Sequence, residues 1–98
     1  MAQQSHSSFT ILRRRQVEAE CGYSRNTLYN RIRDGLWPRP VSIGPRMVGW
    51  PAGEVSALNA ARIAGQTDDA IKILVRKLEA QRKASASRML AAEAPEAA

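Results

Sequence analysis

Between Arg14 and Gly35 the chain has room for only two short helices, because Gly22, Tyr23 and Ser24 interrupt the helical pattern in its middle. In the first segment Val17 and Cys21 fall one turn apart on a single inward face, which predicts a helix over Arg14–Cys21. Gly22 supplies the left-handed stop that other residues adopt only at a cost. Ser24 then offers the hydroxyl that caps a helix N-terminus, and a second helix is expected over residues 25–34, closed by Gly35. Two short helices joined by a glycine-containing turn read as a helix-turn-helix.

The next stretch, WPRPVSIGPRMVGWP, cannot be helical. Pro38 and Pro40 force extended backbone on the residues before them. Val41 and Ile43 alternate with Ser42, Met47 to Trp50 is a second short strand, and Gly44-Pro45-Arg46 makes the turn between them. The result is a small β-hairpin with Arg46 at or near its tip. Pro51 suits the first turn of a third helix, stopped by Gly65. Thr67 can cap a fourth, with Asp68 and Asp69 at the positive end of its dipole. In that helix Ile71, Leu74, Val75 and Leu78 form an i, i+3, i+4, i+7 stripe. The expected fold is therefore mainly α with a small β-hairpin wing, a winged helix-turn-helix, over residues 9–83. Residues 1–8 are polar and expected to be disordered, and residues 84–98 form a flexible or frayed helical tail.

Charge is distributed unevenly over this plan. The chain carries 15 Lys+Arg against 9 Asp+Glu, a net +6. Five of those six net charges lie in residues 9–50, where every base is an arginine: Arg13, Arg14, Arg15, Arg25, Arg31, Arg33, Arg39 and Arg46. Arginine's planar fork suits phosphates and guanine edges, so a polyanionic partner is implied. Catalytic chemistry is not. The one histidine, His6, lies in the polar N-terminus, and Cys21 sits at core spacing from Val17. Neither phosphate-binding glycine motif is present, so no enzyme activity, metal or cofactor is expected. A single cysteine and the lack of a long apolar run point to a reducing cytoplasm and no membrane partner.

The second helix carries the sharpest signal. At about 100° per residue, Leu28 and Ile32 share the core face, while Arg25, Asn26, Tyr29, Asn30 and Arg33 gather opposite. Those outward residues are the types that read base edges in a major groove: arginine pairs with guanine and asparagine with adenine. The expected backbone and wing contacts are Arg13, Arg14, Arg15, Ser24, Thr27, Arg39 and Arg46. Cations at a helix start oppose the helix dipole, which argues that the arginine triplet serves something other than the helix. Trp37 and Trp50, each beside a proline in a chain with one Phe, are assigned to the core.

The run ILRRRQVEAECGYSRNTLYNRIRDGLWPRPVSIGPRMVGWPAGEVSAL resembles the AlpA-type regulators of phages and mobile elements, which are related to excisionases and to the winged domain of MerR regulators. The resemblance rests on Gly22 to Tyr29, on the Asp34-Gly35-Leu36-Trp37-Pro38 corner, and on Val48-Gly49-Trp50 followed by Glu54-Val55. It implies a second helix in the major groove of double-stranded DNA and a wing on the flanking minor groove or backbone. Two roles remain open: a transcriptional regulator working with RNA polymerase, or an excisionase that bends DNA for an integrase. The Ile71, Leu74, Val75, Leu78 stripe must be covered either by the protein's own third helix or by a neighbouring copy, the second giving self-association on DNA in either role. The alternative from another class is a protein-interaction adapter with a vestigial helix-turn-helix.

Overall fold

The computed structural model describes residues 9–93. In chain order its elements are β1 (Ile11–Leu12), α1 (Arg14–Cys21), α2 (Arg25–Arg33), β2 (Val41–Gly44), β3 (Met47–Pro51), α3 (Ala52–Ile63) and α4 (Asp68–Glu93).

The punctuation of the helices follows from single residues. The Arg13 amide donates to Gln16 Oε1 at 2.8 Å, and Gly22, at φ 72°, sends its amide back to the Glu18 carbonyl at 2.8 Å. Ser24 Oγ accepts from the Thr27 amide at 3.2 Å and so starts α2. That helix ends in paired reverse bonds, Leu36 to the Arg31 carbonyl and Gly35 to the Ile32 carbonyl, with Gly35 at φ 79°. The same closure recurs at the end of α3, where Gln66 bonds Ala61 and Gly65 bonds Arg62.

The hairpin expected from the sequence is part of a three-stranded antiparallel sheet in the order β1-β3-β2. Ile11 and Leu12, just before α1, supply the third strand by pairing with Pro51 and Trp50. Gly49 makes this possible: a Cβ there would lie 2.3 Å from Ile11 Cγ2 and 3.0 Å from the Leu12 carbonyl oxygen. On the other side of β3, Val41 faces Gly49 and Ser42 faces Val48, with an irregularity before Gly44 meets Met47.

Sheet and helices close over one core containing Leu12, Val17, Leu28, Trp37, Trp50, Val55, Leu58, Ile71 and Val75. Both tryptophans are buried as expected, and Trp50 Nε1 donates to the Pro38 carbonyl at 2.8 Å, so its one polar atom is satisfied. Each fully buried aliphatic side chain of this core is worth about 1.5–3 kcal/mol, which is why a short chain with few aromatics can hold this shape.

α4 bears on two alternatives that the sequence leaves open. It continues past Lys83 to Glu93, because residues 84–93 contain good helix formers and neither glycine nor proline. Its apolar stripe is also not left open for a neighbouring copy. Ile71 and Val75 are 0 % and 3 % exposed within the protein's own core, and Leu74 and Leu78 pack against it. Of the two ways of covering the stripe, packing into the protein's own core is the one this structure shows. The tail residues 94–98 and the N-terminal residues 1–8, expected to be flexible and disordered, lie outside the described residues.

Candidate nucleic-acid interface

α2 is anchored by Leu28, which is fully buried, and by Ile32, which is half-buried. That leaves Arg25, Asn26, Tyr29, Asn30 and Arg33 exposed on one side of the helix. Arg33 has a carboxylate neighbour, Asp34 Oδ1 at 3.3 Å from its Nε, but both side chains are largely in solvent and such a pair is worth little.

Beside this face lies a concavity lined by Arg13, Arg14, Arg15, Tyr29, Arg46 and Val48. The arginine triplet at the start of α1, an aromatic ring from α2 and the tip of the β2–β3 turn therefore converge on one surface. Among the described residues, Arg13, Arg15, Arg25 and Arg46 have no carboxylate within 4 Å. Arg14 differs, since its guanidinium is paired with Glu18 one turn along α1. Three guanidiniums beside Tyr29, none with a carboxylate partner among the described residues, make a positive hollow fit for an anion.

Arg46 holds its place at some backbone expense. It is the one described non-glycine residue at positive φ, at 57°. Pro45 before it fixes the first central position of the turn, and the left-handed second position is one that glycine ordinarily takes.

The remaining expected contacts are placed elsewhere. Ser24 and Thr27 join their hydroxyls at 3.0 Å across the α2 N-terminus, so their first role is to cap that helix. Arg39 is not part of the hollow. Its amide donates to Glu79 Oε2 at 2.7 Å, its Nε lies 3.7 Å from the same carboxylate, and its carbonyl accepts from Arg82, all on α4. Arg31, inside the same helix as the exposed set, turns inward: its guanidinium lies 4.8 Å from the centroid of Tyr23, whose ring meets Trp37 edge-on at 5.8 Å. This stack braces the turn between α1 and α2. Val48 is the lining residue that charge and polarity did not point to; it is partly buried on the same face of β3 as Trp50, packs against the core, and reaches the hollow at its edge.

Cys21 takes no part in chemistry of this kind. Burial, with a smaller contribution from the Glu20 charge, pushes its thiol up to about 11 despite a hydrogen bond with Asn59. Among the described residues no group of three His, Cys, Asp or Glu side chains could hold a metal, and no helix is long and apolar enough to cross a membrane.

A helix-turn-helix followed by a β-hairpin beside its second helix, on a three-stranded sheet, defines a winged helix-turn-helix protein. The chain belongs to the AlpA family: residues 10–62, from before β1 into the last turn of α3, match the family described as prophage CP4-57 regulatory protein (AlpA). It is also similar to an uncharacterized protein, ORF88, of Enterobacteria phage P4, with 47% identity over 56 residues. That match spans 57% of this chain and 64% of the phage protein, so it covers less than two thirds of the relative's length. No solved structure matches.

Proposed function

We propose that this protein is a sequence-specific double-stranded-DNA-binding regulator of a phage or mobile genetic element, acting in the cytoplasm by occupancy of its site rather than by catalysis. The observation that carries the reading is the convergence of Tyr29 of α2 with Arg13, Arg15 and the turn residue Arg46 around one unpaired positive hollow. α2 supplies side chains suited to base edges, and the arginines on either side supply the sequence-independent attraction to phosphate. A helix entering the groove by its N-terminal part brings Arg25, Asn26 and Tyr29 nearest the bases, with Asn30 and Arg33 a turn further out. A regulatory role is supported by the family's description; the excisionase role, with DNA bending for an integrase, uses the same surface.

The test is binding-site selection on the purified protein and on Arg25→Ala and Asn26→Ala. Each substitution is expected to relax preference at a different base pair, at a cost of about 1–3 kcal/mol, leaving melting unchanged. Leu28→Ala is expected to do the reverse, lowering stability by about 2–5 kcal/mol through a core cavity. Selected sequences identical for wild type and both surface variants would mean that α2 reads nothing. DNase footprinting then separates the two roles, since a single protected operator fits a regulator and a phased array beside integrase sites fits an excisionase.

A further inference from the structure

α4 lies beyond the segment that matches the family, yet it is tied to the end of α2 and to the segment that leads from it into the wing. A Cβ built on Gly35, the residue that closes α2, would lie 3.8 Å from Lys72 Cγ, so the stem of Lys72 rests against the end of that helix. Two turns further along, Glu79 holds the amide and the guanidinium of Arg39. Lys72, Arg76, Glu79 and Lys83 follow an i, i+4, i+7, i+11 spacing, which places them in one row on a flank of α4, within an arc of about 60°. Lys72, Arg76 and Lys83 are exposed, and among the described residues none has a carboxylate within 4 Å. The one acid in the row, Glu79, is matched by Arg39, whose side chain is 80 % exposed. The row is therefore a line of uncompensated positive charge that begins where α2 ends.

We infer that this flank of α4 is a second contact with the same DNA duplex, a rail of Lys72, Arg76 and Lys83 with Arg39 alongside that takes the sugar-phosphate backbone beyond the base-reading segment. The inference rests on the DNA-binding reading above. Its geometric basis is the size of the groove. α2 spans about 13 Å, close to the ~12 Å width of a major groove, so its C-terminal end and the adjoining Lys72 fall at the phosphate rim. From Lys72 to Lys83 the row runs on for about 16 Å, the length of roughly five base-pair steps. Arginine and lysine heads on flexible stems suit phosphates, which demand charge but little geometry.

The experiment compares the full chain with the triple variant Lys72→Gln, Arg76→Gln, Lys83→Gln on a selected duplex and on a long random-sequence duplex. Affinity is measured across a salt series and protection by hydroxyl-radical footprinting. The expected result is a salt slope smaller by about two to three units on both duplexes, affinity lower by on the order of ten- to a hundredfold, and loss of protection on one flank. The selected sequence and the melting temperature stay as in the wild type. An unchanged slope and footprint, in a protein whose preference still shifts with Arg25→Ala or Asn26→Ala, overturns the rail and leaves the DNA-binding reading standing. A wild type without salt-dependent binding to either duplex overturns both.

Discussion

Arg82 of α4 grips Glu54 of α3 at two points: its Nε donates to Oε2 and its Nη2 to Oε1, each at 2.7 Å. The Glu54 side chain is 8 % exposed and Arg82 Nη2 also bonds the Arg39 carbonyl, so this pair fastens α3, α4 and the strand leading into the wing together. Removing one partner strands a buried charge. Arg82→Ala is expected to lower stability by about 3 kcal/mol in urea unfolding, whereas the double change Glu54→Leu with Arg82→Met loses much less, because no charge is left behind. A double variant as unstable as Arg82→Ala would show that shape, not charge, holds this junction.

Arg46→Gly separates backbone comfort from charge. Glycine adopts the left-handed conformation at φ 57° without the cost of about 1 kcal/mol that a Cβ carries. The variant is expected to melt at the same or a slightly higher temperature and to bind DNA more weakly, with a salt slope lower by about one unit. Lower stability together with unchanged binding would remove Arg46 from the interface.

At Gly49 the expectation is steric. Alanine there drives a methyl group into Ile11 Cγ2, which can swing aside, and against the Leu12 carbonyl, which cannot. Gly49→Ala should cost about 1–3 kcal/mol. Adding Ile11→Ala should restore part of that loss, since Ile11 is 44 % exposed and its removal opens the contested space. Thermal denaturation of the single and double variants reads both effects.

Cys21 gives a pH prediction. With its thiol raised from 9.0 to about 11 in the folded protein, the folded state holds the proton over a range where the unfolded chain has released it. The stability it contributes is therefore complete below about pH 9 and is lost as pH rises toward 11. Unfolding free energies of wild type and Cys21→Ala, measured across that window, should converge at its upper end. At neutral pH the native thiol should react with iodoacetamide on the order of a hundredfold more slowly than the same cysteine in urea.

The two helices of the helix-turn-helix were legible because Gly22 and Gly35 announce both their ends and Leu28 and Ile32 fix which way α2 faces. β1 was not, since two residues cannot display an alternation, and its partner Trp50 stands far along the chain. Of the hollow, each arginine and Tyr29 could be singled out by type, but their meeting depends on how β1 sets α1 against the wing. Arg39 shows the limit of reading charge alone: its type suggests phosphate, but only its hydrogen bond and ion pair with Glu79 place it beside α4 rather than in the hollow. The Glu54–Arg82 pair joins residues that a helical wheel assigns to ordinary polar faces, and only the crossing of α3 with α4 turns them toward each other.

The segment shared with the AlpA family stops at residue 62, whereas Ile71 and Val75 are among the most deeply buried side chains of the core. The segment that matches the family and the unit that folds are thus of different lengths. A gene fragment cut at the shared boundary would encode the whole reading head yet remove Ile71 and Val75 from the core, and its product should collapse or aggregate rather than act as a miniature regulator. For any exchange of specificity between relatives, the natural seam lies inside α2, where the outward residues can change hands while the scaffold and its long last helix stay behind.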